Sequence, residues 1–171
     1  MSTIAAAAAA TNITMEIPGI TDSEAAKKAN KTFIDLLHFS ITIIAPERDP
    51  LGGTVGHGRP HIDPIPIAKP ADLTTPQLQQ VSLRGDIFPT ITIKVHSHIK
   101  NDKKVVIRTI TLSKAKLLNH GYACADSMEN ESYAIDFRKI YVEFSPYDTN
   151  GNPLGKTTMM YDLDEVKTSS R

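Results

Sequence analysis

Between residues 72 and 95 the spacing of apolar side chains changes from one period to another. Leu78 and Val81 fall one helical turn apart, after which Ile91, Ile93 and Val95 alternate with Thr90, Thr92, Lys94 and His96. The first spacing predicts a short helix and the second a half-buried strand. Local signals agree. Thr75 is placed as an N-cap, Pro76 sits at the first helical position, where its missing N–H costs nothing, and Gly85 is placed to end the helix with a positive φ. Asp22-Ser-Glu-Ala can open one further helical turn, but no other stretch has a comparable set of start and stop signals. The remainder reads as strands and loops.

From Asn12 to Pro18, alternation puts Ile13, Met15 and Ile17 on one face. The second strand, Phe33 to Ile44, starts with Ile34 and Leu36 inward and continues with Leu37, Phe39, Ile41 and Ile43. That one-residue slip predicts a β-bulge near Leu36–Leu37, after which Phe39, Ile41 and Ile43 face the core and Ser40 and Thr42 face outward. Residues 45–64 hold four prolines and four glycines, and predict a loop long enough to have a use of its own. Ile65 and Ile67 then make a short strand that the neighbouring prolines keep toward an edge. His98 to Val105 turns through Lys-Asn-Asp-Lys as a hairpin. Val106, Ile110 and Leu112 return, Leu117–Leu118 start a short piece, and residues 119–131 read as a second polar loop. Tyr133, Ile135 and Phe137 give way to Ile140, Val142 and Phe144, which predicts a second bulge at Arg138–Lys139. Asp148-Thr-Asn-Gly-Asn makes a turn, and Lys156 to Leu163 pairs back as the last strand. About seven to nine antiparallel strands with bulges and one short helix point to a mainly β fold, a closed or nearly closed β-barrel.

Length changes this picture little: 171 residues make one domain. Residues 1–11 form an Ala-rich leader, 12–163 the β domain and 164–171 a polar C-terminal tail. Charge balances at 19 basic and 19 acidic residues, which argues against a dedicated nucleic-acid binder. Its distribution is uneven, with seven basic residues against Asp102 in 94–116 and nine acidic against three basic in 126–165. Either neighbouring strands offset each other's charge, or successive copies of the chain present complementary surfaces. Cys124 is the single cysteine and is expected as a buried structural thiol. No apolar run reaches the ~18 residues that span a membrane. Ala5 to Ala10 lacks a preceding basic residue, so a secretory signal is not expected and export would use another route.

Candidate chemistry is sparse. His96 and His98 lie two apart on a strand and share a face, the geometry of two imidazole ligands, but the nearest carboxylate is Asp102 in the predicted turn. His57 and His61 sit in the Gly-rich loop without a cysteine or acidic pattern around them. The run Gly52-Gly-Thr-Val-Gly-His-Gly lacks the Gly-Lys-Ser/Thr ending of a phosphate loop. No catalytic residue, cofactor or metal is therefore assigned, and the chain is not expected to be an enzyme.

Five stretches resemble, in order and spacing, the Hcp (hemolysin-coregulated protein) family of type VI secretion inner-tube proteins. They are Met15-Glu-Ile-Pro-Gly-Ile20, Phe33-Ile-Asp-Leu-Leu-His-Phe-Ser-Ile41, Gly58-Arg-Pro-His-Ile-Asp-Pro-Ile-Pro-Ile-Ala-Lys69, Asp72-Leu-Thr-Thr-Pro-Gln-Leu with Gly85 and Phe88, and Tyr133-Ala-Ile-Asp-Phe-Arg-Lys-Ile-Tyr141. The likeness covers roughly residues 12–163, with two departures: the longer Ala-rich leader, and Phe39 where a tryptophan is common. It implies two antiparallel sheets forming the barrel beside the helix, a non-catalytic subunit, six copies in a ring and rings stacked head to tail inside a contractile sheath. It also implies effector proteins in the lumen, expulsion with a spike protein, and a bacterial cytoplasmic location before secretion, with no nucleic acid partner and no membrane insertion. On this resemblance Ser40 and Thr42 face the lumen as cargo contacts, and the loop bearing Gly52, Gly53, Val55, Gly56 and Gly58 reaches the next ring. Two other readings stand beside it, a tail-tube protein of a phage-like contractile particle and a His-metal cupin-like barrel.

Overall fold

A computed structural model describes residues 12–28, 32–45, 60–99, 103–125, 128–148, 151–164 and 167–170. The fold is mainly β. Its first elements are β1 (Ile13–Glu16), a single helical turn α1 (Glu24–Lys28), and three short pieces β2 (Ile34–Leu36), β3 (His38–Phe39) and β4 (Ile43–Ile44). There follow β5 (His61–Ile62), β6 (Ile65–Pro70), the helix α2 (Thr75–Arg84), β7 (Ile87–Ile99) and the long β8 (Lys103–Ala125). The chain finishes with β9 (Met128–Asp136), β10 (Lys139–Phe144), β11 (Thr157–Asp162) and β12 (Lys167–Ser170). Residues 167–170, within the expected tail, thus add a strand to β11.

Helix α2 follows its sequence signals with one offset. Thr74, not Thr75, is the N-cap residue, and its side chain makes no capping bond. The Thr75 hydroxyl is drawn elsewhere: it accepts from the Asp72 N–H at 3.0 Å and donates to Glu131 Oε2 at 2.8 Å. Asp72 Oδ1 takes the Thr74 N–H at 2.8 Å instead. Leu78 and Val81 are buried, each stabilising the contact with the sheet by about 1.5–3 kcal/mol. Gly85 closes the helix at φ 69°, in the left-handed region where a side chain would be strained.

Nearly all strands belong to one antiparallel, ten-stranded sheet, ordered β12-β11-β10-β8-β7-β1-β2. β9, β6 and β3 continue from the C-terminal half of β8, while among the described residues β4 and β5 pair only with each other. The core lies between the faces of this bent sheet, around Met15, Ile34, Ile65, Ile91, Ile110 and Ile135, all at 0% exposure. Among the described residues no ladder closes the strand order, so the expected closed barrel is not reached by pairing alone. The two ends approach at Leu37, whose N–H donates to Ala68 O at 2.8 Å. Leu37 marks a change of partner rather than the expected bulge: β2 pairs with β1 and β3 pairs with β6.

The slip in period at Arg138–Lys139 is likewise not a bulge. Lys116 faces Asp136 and Ser113 faces Lys139, so two residues on each strand separate the pairs and the register is unchanged. Both strands change face together. Buried Ala115 and Phe137 lie opposite each other on one side, and buried Leu112 and Ile140 on the other. β7 does the same, with Phe88 opposite Ala115 and Ile91 opposite Leu112. Pro89, Lys114 (φ 48°) and Arg138 fall on one line across the three strands, which creases the sheet there. True register shifts occur at Val95/His96 and between Leu118 and Gly121.

Three further expectations change. β6 is no edge strand, because it pairs with β3 on one side and β9 on the other. The predicted loop 119–131 is largely strand: β8 runs to Ala125 and β9 returns from Met128. Toward the tip of this arm Tyr122, Ala123, Cys124 and Glu129 are exposed on both faces, which removes the alternation a half-buried strand shows, while Glu131 at its base is buried. Beyond Leu37, the face expected inward is only partly so: Phe39 and Ile41 pack against the core, whereas Leu37 and Ile43 are exposed. The charge contrast falls largely on neighbouring strands, since β8 lies beside β9 and β10, with Lys116 Nζ 3.5 Å from Asp136 Oδ2.

Candidate functional site

Ser40 and Thr42 lie on the connection between β3 and β4, which β6 and β5 hold in place. The Ser40 N–H donates to Pro66 O at 3.3 Å, and Thr42 O accepts from the Asp63 N–H at 3.2 Å. Ser40 is half-buried and Thr42 exposed, so both hydroxyls sit on a backbone fixed by cross-strand bonds. The proposed stacking residues Gly52, Gly53, Val55, Gly56 and Gly58 lie outside the described residues, as does His57.

The histidine pair does not converge. His96 Nε2 lies 2.9 Å from Thr14 Oγ1, beside the register shift, while His98 is exposed. Burial, then the charges of Lys104 and Lys94, hold the His96 imidazole below its usual range, with Glu16 acting the other way. His61 pairs with Asp63 at 3.0 Å on the exposed side of β5. Among the described residues no three His, Cys, Asp or Glu side chains converge on a metal position. Cys124 is exposed on the β8–β9 arm and not the buried thiol expected, because the arm carries both faces into solvent.

The densest polar constellation is one that motif reading missed. Lys69 and Glu131 are fully buried charges, and their side chains meet at 2.9 Å between β6 and β9. Asp72 Oδ1 lies 3.2 Å from the same ammonium. Five donors converge on the Glu131 carboxylate. Lys69 and Thr75 donate to Oε2, and Gln79 (3.4 Å), His120 (3.3 Å) and Tyr133 (3.5 Å) to Oε1. Burial pushes the Glu131 carboxyl up, but the contacts with Lys69, Thr75 and His120 outweigh it and hold it below the usual carboxylate range. Burial, followed by the adjacent Glu131 charge, pushes the Tyr133 hydroxyl up. These residues come from β6, the turn before α2, α2 itself, β8 and β9, so the cluster clamps the helix to the sheet. A signal was present: Lys69 follows Ile65 and Ile67 at the inward period, and Glu131 precedes Tyr133, Ile135 and Phe137. Two opposite charges at inward positions predict a buried pair.

Exposed apolar side chains mark the other feature. Leu73, Leu83 and Ile87 stand out around α2, and Ile43 and Ile44 on the β4–β5 ribbon. No helix among the described residues is long and apolar enough to cross a membrane. The sequence matches the family model for the type VI secretion system effector Hcp over residues 14–144. The chain belongs to the Hcp family. Similar solved structures include a type six secretion system protein, with a TM-score of 0.78 at 17% identity, covering 94% of this chain and 100% of the other. Hcp1 from Salmonella typhimurium follows at TM-score 0.68 and 18% identity, covering 92% and 97%. A type VI secretion system effector from Yersinia pestis has a TM-score of 0.65 at 16% identity, covering 88% and 98%. At these identities the likeness speaks for the fold. No curated protein matches the sequence. As an Hcp protein, the chain is a secreted component of type VI secretion that assembles with itself. The family stretch contains Ser40, the buried clamp and α2, and ends at the last residue of β10.

Proposed function

We propose that this Hcp chain is a tube subunit, built into rings of six that stack head to tail and carry effector proteins in the lumen. The observation that carries the reading is the family match over residues 14–144 on a mainly β fold of the Hcp type. In the ring the sheet closes as a barrel at Leu37, where the strand changes partner, and each copy presents one edge to a different edge of its neighbour, the contact that closes a cyclic assembly. Ser40 and Thr42 face the lumen on their fixed backbone, and the loop through Gly52, Gly53, Val55, Gly56 and Gly58 reaches the next ring. The sheath surrounds the stack and the spike protein caps it. The chain waits in the bacterial cytoplasm until contraction expels it, and acts by assembly and carriage rather than catalysis. Negative-stain microscopy of purified protein, with light scattering at low and high salt, tests the reading. Rings of one diameter are expected; a monomer under every condition would overturn it.

A further inference from the structure

Helix α2 carries two opposed stripes. Thr74, Leu78 and Val81 face the sheet and are buried. Pro76, Gln80 and Leu83, two residues further round at the same spacing, are exposed, and exposed Leu73 and Ile87 prolong the line at either end. Leu83 is 90% exposed, more than any other large apolar side chain among the described residues. The helix Thr-Pro-Gln-Leu-Gln-Gln-Val-Ser-Leu-Arg has one charged residue, Arg84, which is paired with Asp86 at 2.6 Å. Its outer ridge therefore carries no unpaired charge and one polar side chain, Gln80, among Leu73, Pro76, Leu83 and Ile87, closer to the chemistry of an interface centre than to that of a solvated helix face.

A complementary hollow lies on different elements of the same chain. Ile43, Pro60, Ile62, Met159 and Tyr161 line a cleft of about 210 Å³ with apolar surface alone. That is larger than the cavity of roughly 150 Å³ that takes up a benzene molecule. It sits under the β4–β5 ribbon, two residues on each strand, which among the described residues pairs with no other strand, with Ile43 and Ile44 both exposed. A ribbon this short is not stable by itself and gains most from a second surface packed on it.

We propose that the α2 ridge of one copy seats in this cleft of the next, Leu83 entering between Ile43 and Met159. The inference rests on the tube-subunit reading, which supplies the second copy. Ridge and cleft differ, so the contact is heterologous and propagates from copy to copy; ridge against ridge would stop at a dimer. The buried Lys69–Glu131 clamp fixes the pose of α2 and with it the direction in which Leu83 points.

The test uses the full chain with Cys124→Ser as background. Leu83→Cys and Ile43→Cys chains, each alone and then mixed, are oxidised gently and run on a non-reducing gel, with light scattering in parallel. Disulfide-linked dimers are expected in the mixture and not in either variant alone. A chain carrying both substitutions should give a ladder of linked copies. Assemblies of normal size without the mixed disulfide would overturn this contact and leave the tube reading standing. Self-linked Leu83→Cys would also overturn it, and a Cys124→Ser background that stays monomeric would overturn both. Leu83→Glu, a change at an exposed site that leaves the fold intact, should shift the scattering mass toward monomer at least tenfold in protein concentration. Unchanged assembly of Leu83→Glu would refute the contact.

Discussion

Removing one partner of the Lys69–Glu131 pair should be among the most damaging single changes the chain can suffer. Lys69→Met leaves the Glu131 carboxylate buried, with Asp72 as a second carboxylate beside the vacated position. Glu131→Gln leaves a buried ammonium whose nearest remaining carboxylate is Asp72 at 3.2 Å. Breaking a buried pair from one side costs about 3–5 kcal/mol, because the charge left behind has lost both water and partner. Glu131→Gln belongs at the low end, since the amide keeps the shape and Asp72 keeps part of the attraction. The double variant leaves no strongly uncompensated charge between β6 and β9, and should cost about 3–4 kcal/mol rather than the sum. The coupling is then about 2–5 kcal/mol, at or above the upper end for a pair in direct contact. Urea unfolding followed by far-ultraviolet circular dichroism reads these values, at one protomer concentration because self-assembly contributes to apparent stability. Additive costs within about 0.5 kcal/mol would refute the argument. The acid limb gives a second check. The Glu131 carboxyl is held low in the folded state, so the unfolded chain takes up the proton first as pH falls. Its stabilisation is complete above the ordinary glutamate range near 4.5 and is lost on further acidification through the folded value. Glu131→Gln should flatten that limb.

Tyr133 reports on the opposite side of the pH scale: its hydroxyl is raised in the folded state, so stability is full below about pH 10 and falls above it, where the unfolded chain ionises first. Tyr133→Phe should remove that alkaline loss in pH-dependent thermal melts, and a melt curve identical to the parent's would count against the assignment. Ser40→Gln should leave rings intact by microscopy while weakening retention of a co-expressed effector; unchanged retention would move the cargo contact elsewhere. Shortening residues 47–58 to a four-residue turn should give rings of normal size that no longer stack and are no longer secreted, whereas normal tubes and secretion would remove the loop from that role.

The sequence was most legible where a residue's neighbours along the chain are also its neighbours in space. Helix α2 could be placed from Pro76, Leu78, Val81 and Gly85 because each acts within one turn. The hairpin of β7 and β8 was equally local. The misplacements share another origin. Residues 119–125 are strand because β9 pairs with them, and nothing in Asn119-His-Gly-Tyr-Ala-Cys-Ala announces that partner. Prolines flanking Ile65 and Ile67 suggested an edge, yet β6 is enclosed because Pro66 can still accept from Ser40 through its carbonyl. Lys69 and Glu131 stand 62 residues apart, so neither is paired by its neighbours along the chain, and only the inward period-2 positions of both together mark a buried pair.

The crease through Pro89, Lys114 and Arg138 ties the lengths of three strands to one another. Adding or deleting one residue beside it in a single strand would turn half of that strand inside out while its neighbours kept their orientation. Such a change becomes harmless only if both partners change length at the same level. Length variation in this part of the molecule is therefore a collective property, open to hairpin tips and closed to the interior of β7, β8 and the β9–β10 run. A chain lengthened between Ile99 and Lys103 should fold as before, and one lengthened by a single residue at Lys114 should not.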